Sequence, residues 1–246
     1  MSETRICKAR LKDIARLKQK KYRLEEGKLV VEGLRALQQL QIYGVRPLEQ
    51  YVSAGAETVW DDVPVFSLLD WEMGQICESG HPQGVAALFD LPAERRVDFN
   101  LAFYLEEISD PGNLGTIFRI AASFGIDTLL LSPDCAEVSS PKVVRASLGS
   151  VFQVPFATVG MSGLKATDAR IIATSSASGI PLREFHPQPG EKLIIALGSE
   201  AHGLSPELVE IAGATLKIEM QSGMESLNVA VAAGIVAHHL YAGDSL

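Results

Sequence analysis

The sequence LAFYLEEISDPGNLGTIFRIAASFG, residues 101–125, places an apolar run before a polar turn and a second apolar segment of different spacing. The first run predicts a buried strand at Leu101–Leu105, and the helical spacing after the turn predicts a helix at Asn113–Phe124. The same succession recurs towards the C-terminus. Because strands alternate with helices, we expect an α/β fold with a mostly parallel sheet and helices on both faces.

The pattern extends in both directions from this stretch. Later strands are predicted at Thr128–Leu131, Phe152–Pro155, Ile171–Thr174, Leu193–Leu197 and Thr215–Ile218, and later helices at Pro141–Leu148, Pro206–Ile211 and Leu227–Tyr241. The N-terminal part predicts a smaller α/β unit, with helices at 8–21, 34–40 and 70–78 and strands at 49–53, 63–68 and 84–89. Between them DLPAERRVDFN, residues 90–100, is charged, contains a proline and breaks the pattern. We therefore predict one domain at 1–92 and another at 98–246.

The bulk properties exclude several classes of protein. No apolar run reaches the roughly 18–20 residues that span a bilayer, and the N-terminal segment lacks the apolar stretch of a secretory signal. Cys7, Cys77 and Cys135 are odd in number and far apart, which fits reduced thiols better than a disulfide framework or a zinc site. We expect a soluble cytoplasmic protein that contacts no membrane.

Charge is distributed unevenly along the chain. Residues 1–30 hold ten Lys or Arg against four Asp or Glu, a net +6, which leaves −14 for the remainder of a chain whose total is −8. Such a basic N-terminal arm can bind a polyanion by displacing its counterions. A solvated, Lys-rich helix face explains the same charge equally well, and charge alone does not choose between them.

Three predicted strand ends are rich in polar and glycine residues. They are EEISDPGNLG at 106–115, GSEAHGLSPE at 198–207 and EMQSGMESLNVAVAAG at 219–234. Each is a turn that leads into a helix, where backbone N–H groups can bind an anion or a carboxylate. Taken singly, each also has a structural explanation: Gly112 and Gly115 can form a turn, Arg119 a surface ion pair, and Ser226 or Asn228 a helix cap.

Together the three segments are more specific. In order along the chain stand Asn113, Gly115 and Arg119, then Gly198 to Leu204, then Glu225 to Val229. This order resembles the three signature motifs of the SpoU (TrmH-like) RNA 2′-O-ribose methyltransferases of the SPOUT class, over residues 100–246. KYRLEEGKLVVEGLRAL (21–37) and HPQGVAAL (81–88) resemble the ribosomal-protein-like substrate-binding domain found at the N-terminus of many members. The chain departs from the family pattern at Ser199 (usually Asn), Ala201 (often Gly) and Glu219 (Pro).

The resemblance implies a SPOUT-type parallel sheet with a C-terminal trefoil knot, a homodimer, and S-adenosylmethionine (AdoMet) as cofactor. It implies a structured RNA substrate, and members with the additional N-terminal domain favour ribosomal RNA. It implies that the cofactor is bound by Thr174, Leu197, Gly198, Ile218, Met220, Ser226 and Leu227. Catalytic roles are implied for Arg119, Asn113, Glu200, Ser226 and Asn228.

The chemistry of these residues agrees with methyl transfer to a ribose hydroxyl. The transfer needs the hydroxyl held close to the methyl group and deprotonated, and it needs no metal; the sequence offers no metal-ligand cluster. A guanidinium is already protonated and makes a poor general base, so we expect Arg119 to position the nucleotide with Asn113 and to stabilise the forming alkoxide. We expect Glu200 to order its loop or orient Arg119. His202, His238 and His239 are interpreted as structural or solvent-facing.

Other functions remain open at this point. A SPOUT methyltransferase acting on a base nitrogen or on transfer RNA would keep the cofactor pocket. A catalytically silent RNA-binding protein would keep the fold, although it would have no chemical reason to keep the whole set of polar residues. A generic α/β nucleotide-binding protein is the third alternative, but this sequence has no G-x-G-x-x-G loop after a strand to bind phosphate.

Overall fold

The computed structural model describes residues 4–199, 201–221 and 226–243. The chain forms two compact units, one made of Met1–Pro92 with Val138–Gln153 and the other of Ala93–Glu137 with Val154–Leu246. In this described part of the chain, no helix is both long and apolar enough to cross a bilayer.

The secondary structure alternates throughout. The strands are β1 Thr4–Arg5, β2 Lys28–Glu32, β3 Glu49–Val52, β4 Val65–Ser67, β5 Val85–Asp90, β6 Leu101–Glu106, β7 Thr128–Leu131, β8 Phe156–Thr158, β9 Arg170–Ser175, β10 Ile180–Pro181, β11 Leu193–Gly198 and β12 Ala214–Lys217. The α-helices are α1 Lys8–Ala15, α2 Lys20–Glu26, α3 Leu34–Ile42, α4 Asp70–Ile76, α5 Pro111–Phe124, α6 Pro141–Ala146, α7 Met161–Lys165, α8 Pro206–Ile211 and α9 Val229–Gly243.

The first unit is built on a five-stranded mixed sheet in the order β1-β4-β3-β5-β2. Strand β5 is antiparallel to both β2 and β3, whereas β3 is parallel to β4. Leu11 and Ile14 of α1 pack with Met73 and Ile76 of α4 against the buried Tyr51 of β3. Burying these large side chains stabilises the unit, at about 25 cal/mol per Å² of apolar surface removed from water.

The segment predicted as one helix at 8–21 is interrupted. Helix α1 ends at Ala15, a 3-10 turn covers Arg16–Lys18, and Gln19 is extended before α2 begins. The break turns Leu17 into the core, and the buried Arg23 donates hydrogen bonds to the carbonyl groups of Leu17 and Lys18. The helical spacing in the sequence was therefore correct only for the first two turns.

The basic arm is an integral part of this unit. Arg5 forms a two-pronged ion pair with Glu72, Arg10 pairs with Glu49, and Arg16 pairs with Glu26. Each of these guanidinium groups has a carboxylate partner within the fold, and the buried Arg16 Nε has no hydrogen-bond partner among the described residues. Three of the cations behind the +6 charge of the N-terminal residues are therefore paired within the fold, and binding of a polyanion by this arm stays a prediction.

Residues 138–153 pack into the first unit although they lie far along the chain from it. Helix α6 contacts β2, the Phe152 ring lies 5.6 Å from that of Phe89, and Gly149 lies close beneath Leu40. The strand predicted at Phe152–Pro155 is wrong, because a 3-10 turn covers Ser150–Phe152 and β8 begins only at Phe156. The domain ranges 1–92 and 98–246 stay a prediction, and the structure groups 138–153 with the first unit.

The second unit confirms the predicted α/β fold. Its seven-stranded sheet has the order β10-β12-β9-β11-β6-β7-β8, and every pairing is parallel. On one face Tyr104 and Ile194 pack against Leu164 of α7 and Leu208 of α8, while α5 and α9 pack against each other. The passage from β12 to α9 includes residues 222–225, outside the described residues, and the C-terminal knot stays a prediction.

Candidate functional site

The carboxyl ends of three neighbouring strands meet at one edge of the parallel sheet. Strand β11 lies between β9 and β6, and Leu193–Gly198 pairs in register with Leu101–Glu106. Ligands of open parallel sheets bind beyond this edge, where loops leave the strands. The polar segments that follow β6 and β11 are therefore brought together by the strand order.

A cavity of about 390 Å³ opens at this edge. Its lining includes all seven residues predicted to bind the cofactor: Thr174, Leu197, Gly198, Ile218, Met220, Ser226 and Leu227. Further lining residues, not predicted from the sequence, include Ser175, Ser199, His202, Leu204, Val209, Ala232 and Val236. Both the size and the mixture of apolar walls with a few polar groups are typical of small-molecule pockets.

The loop after β11 folds back tightly on itself. Ser199 and Gly203 form an isolated antiparallel bridge, and the Gly203 N–H donates to the Ser199 carbonyl at 2.8 Å. A Cβ placed on Gly198 would lie 2.2 Å from the carbonyl carbon and oxygen of Gly203. Such a distance is impossible between non-bonded atoms, so the loop can take this shape only with glycine at position 198.

Glu106 connects this loop to the end of β6. Its carboxylate accepts the Ser205 backbone N–H and the Ser205 hydroxyl, each at 2.7 Å, and the residue is only 8% exposed. Ser205 in turn caps α8, accepting the Leu208 N–H at 3.3 Å, and Pro206 occupies the first turn. One buried carboxylate thus fixes the far end of the loop that walls the cavity.

Asn113 and Asn228 are brought into direct contact. The Asn228 side-chain amide donates to Asn113 Oδ1 at 2.9 Å, and Asn228 Oδ1 accepts the Ala230 N–H at 3.0 Å. Asp110 caps α5 by accepting the Asn113 N–H at 2.8 Å. The pair joins the starts of α5 and α9 and is adjacent in sequence to Leu227, which lines the cavity.

Arg119 and Glu200 differ from the other predicted catalytic residues. Arg119 lies six residues beyond Asn113 on α5, about 9 Å along the helix axis, and is exposed. No hydrogen bond or ion pair joins its side chain to any described residue. Within one chain the structure does not bring Arg119 to the asparagine pair. Glu200 lies outside the described residues.

Two ionisable groups near the strand ends remain protonated at neutral pH. Burial, assisted by the nearby Glu106, raises the pKa of Tyr104 to about 12. Burial likewise raises the pKa of Cys135, whose thiol donates to the Leu105 carbonyl. Neither group supplies a base at this edge of the sheet.

Other predictions can be located in the structure. Glu219, where the family pattern has Pro, forms an ion pair with Arg183 at 3.1 Å. His239 contacts the Phe185 carbonyl through Nε2 at 2.8 Å, in agreement with a structural role, whereas His202 lines the cavity. Among residues 4–199, 201–221 and 226–243, no group of three or more His, Cys, Asp or Glu is placed to hold a metal ion.

Glu106 and His202 are the functional candidates that sequence reasoning missed. Glu106 is the last residue of β6, and the rule that ligands bind beyond strand ends could have singled it out. His202 lies inside the second motif, but its contact with the cavity depends on the reversal of the loop, which the sequence does not display.

The fold and the cavity define an α/β protein with a small-molecule site at the carboxyl edge of a parallel sheet. The model of the SpoU rRNA methylase family matches residues 100–238, and that of the MRM3-like substrate-binding domain matches residues 8–87. The chain belongs to the SpoU rRNA methylase family, as the three motifs predicted.

The chain is similar along nearly its whole length to known proteins. It is 29% identical over 241 residues to the Bacillus subtilis protein named 23S rRNA (guanosine(2553)-2′-O)-methyltransferase RlmP, covering 94% of this chain and 95% of the relative. A solved TrmH-family structure from Porphyromonas gingivalis is 32% identical, with a TM-score of 0.81 over 95% of this chain and 97% of that one. An AdoMet-bound rRNA methyltransferase from Sinorhizobium meliloti is 27% identical, with a TM-score of 0.81 over 99% and 97%.

Proposed function

We propose that this protein transfers a methyl group from AdoMet to a ribose 2′-hydroxyl in ribosomal RNA. The observation that carries the proposal is the single cavity around which all seven predicted cofactor residues lie, next to the Asn113–Asn228 pair. Family membership and the name of the Bacillus subtilis relative, a 23S rRNA 2′-O-methyltransferase, support the reaction and the substrate class.

The residues around the cavity fit AdoMet. Leu197, Ile218 and Leu227 offer apolar walls for the adenosine, and backbone groups of the loop beyond Gly198 can contact its polar edges. The Thr174 hydroxyl donates to the Ala196 carbonyl at 2.8 Å, so towards the cavity it acts as an acceptor. Bound here, AdoMet supplies an electrophilic methyl group on a sulfonium ion.

The polar residues of the chain would bind and orient the substrate. The Asn113–Asn228 contact fixes two side-chain amides at the junction of α5 and α9. Arg119 offers five N–H donors and no acceptor. We therefore assign it the role of binding the target phosphate and stabilising the alkoxide, with the proton leaving to solvent or to another group.

We further propose a homodimer through the exposed face of α5 and α9. Val231, Ile235 and Tyr241 of α9 are 51%, 39% and 52% exposed. The Tyr241 ring lies 5.9 Å from Phe124 of α5, which continues the apolar stripe. An exposed apolar stripe of this kind is typical of an interaction surface. Because Arg119 lies exposed on α5 and away from its own asparagine pair, we propose that it serves the site of the second copy.

The first unit would then bind RNA and the second would carry out the transfer, a division that follows the predicted ranges 1–92 and 98–246 except for residues 138–153. The match of residues 8–87 to a substrate-binding domain supports this division. An rRNA substrate also supports a cytoplasmic location.

The test is transfer of labelled methyl from AdoMet to unmodified ribosomal and transfer RNA, assayed separately. We expect label in ribosomal RNA, and none when Gly198→Ala replaces the wild type. Label in transfer RNA alone would refute the substrate class. AdoMet binding without transfer to either RNA would refute the enzyme and favour a silent RNA-binding protein.

A further inference from the structure

The first unit contains a second cavity, of about 380 Å³, which the proposed methyl-transfer chemistry does not use. It lies where β2 turns into α3 and where the 79–83 loop leads into β5. Its polar lining residues are Glu32, Arg35, Ser79, His81, Gln83 and Arg145. The turn is built around Gly33, whose φ of +96° favours glycine.

The acidic residue of this cavity, Glu32, already has hydrogen-bond partners within the first unit. Glu32 accepts the Ser79 backbone N–H at 3.1 Å and an Arg145 N–H at 2.8 Å, and its side chain is only 13% exposed. The carboxylate therefore holds the 79–83 loop and Arg145 in place. Because Arg145 balances the charge of the Glu32 carboxylate, Glu32 does little to offset the positive charge of Arg35.

The cations that remain face an open cavity. Arg35 and His81 are exposed, and no hydrogen bond or ion pair joins either side chain to a described residue. Arg145 is 48% exposed and retains donors beyond the one given to Glu32. Arg145 is ion-paired, as Arg5, Arg10 and Arg16 of the basic arm are, whereas the Arg35 guanidinium pairs with no described residue. The available guanidinium groups of this cavity suit a phosphate, which arginine binds with two parallel hydrogen bonds.

The helix that carries Arg145 is closely packed in the first unit. A Cβ on Gly149 would lie 2.7 Å from Leu40 Cδ2, and the φ of +83° at this position also favours glycine. Val143 and Val144 of α6 are fully buried, and Phe152 contacts Phe89. Arg145 is therefore presented to the cavity by a packed helix and not by a loose loop.

We propose that this cavity is the docking site of the first unit for RNA phosphate, with Arg35 and Arg145 as the principal contacts and His81 beside them. The segment 138–153, which follows β7 in the chain, completes it. The inference rests on the proposed function and identifies where on the first unit the RNA backbone binds.

The test compares Arg35→Ala and Arg145→Ala with the wild type in binding to an unmodified 23S rRNA transcript across a range of salt concentrations. The control is Arg46→Ala, which removes the same charge from an exposed ion pair with Asp62 outside the cavity. We expect each cavity variant to bind RNA about tenfold more weakly, as for loss of a charge-assisted hydrogen bond. The slope of log affinity against log salt should fall by about 0.7–0.9 per variant.

Methyl-transfer kinetics separate the two claims. If the inference is correct, KM for RNA rises in both cavity variants while AdoMet affinity and kcat stay near wild type, and Arg46→Ala is unaffected. Unchanged RNA affinity and KM in Arg35→Ala, in an active wild-type background, would overturn the docking site and leave the enzyme standing. An equal loss in Arg46→Ala would also overturn it. A wild-type protein that methylates no RNA would overturn the function itself.

Discussion

The Glu106–Ser205 connection makes a sharp prediction about cofactor binding. The Glu106 carboxylate accepts two hydrogen bonds of 2.7 Å from Ser205, and neither residue lines the cavity. Hydrogen bonds to a charged group contribute about 1.5–3 kcal/mol each. Ser205 is only half-buried, so water can replace part of the loss. We expect Glu106→Ala to destabilise the observed shape of the loop by about 1.5–3 kcal/mol in total.

If cofactor binding needs this loop in its observed shape, the cost appears in affinity. We expect AdoMet to bind about 10- to 100-fold more weakly, at 1.4 kcal/mol per tenfold. Glu106→Gln, which can still accept the Ser205 N–H, should lose less. Isothermal titration calorimetry gives the affinity, and a double-mutant cycle with Ser205→Ala isolates the coupling between the two residues. An AdoMet affinity within twofold of wild type in a folded Glu106→Ala protein would refute the reasoning.

Three further predictions follow from the second unit and from the thiol chemistry of the first. Gly198→Ala should abolish AdoMet binding, measured by calorimetry, because its Cβ collides with the Gly203 backbone; Gly160→Ala, with open space around it, should not. The Arg119→Ala and Asn228→Ala variants should each lose most of their turnover. If each site of a dimer takes Arg119 from one copy and Asn228 from the other, an equimolar mixture should recover about a quarter of wild-type turnover, because half of the dimers are mixed and each mixed dimer has one intact site. Burial, assisted by Glu32, raises the pKa of Cys77 above its usual range, which leaves no reactive thiolate. Iodoacetamide at about pH 8 should therefore label Cys77 only after unfolding.

Each of these has a clear contrary result. Normal AdoMet binding by Gly198→Ala would show that the loop moves at little cost. A mixture as inactive as its two components would place Arg119 and Asn228 in the same chain's site. Rapid labelling of Cys77 in the native protein would contradict its burial.

The sequence predicted the strands and helices of the second unit where hydrophobic periodicity and turn signals agreed. Leu101–Leu105 and Asn113–Phe124 are observed almost residue for residue, since Pro111 and Asp110 mark the helix start and Gly125 its end. The strand at Phe152–Pro155 failed because a run of four residues is too short to carry a periodicity of its own. Phe152 packs against Phe89 in the first unit, whereas Val154 and Pro155 belong to the second unit.

The site was predictable in composition but not in geometry. The motifs identified the residues around the cavity, while their convergence depends on the strand order β9-β11-β6, which no local pattern specifies. Glu106 was missed because a single carboxylate at a strand end forms no motif. Net charge likewise does not show that Arg5 and Arg10 are paired with Glu72 and Glu49.

The most direct test of the central claim identifies the methylated atom. Ribosomal RNA labelled by the protein with methyl from AdoMet is hydrolysed in alkali, where cleavage requires a free 2′-hydroxyl beside each phosphate. We predict that the label remains in alkali-resistant dinucleotides and that nucleoside analysis gives a 2′-O-methylated residue. Label released entirely in mononucleotides as a methylated base would contradict the assignment of the ribose hydroxyl as the acceptor.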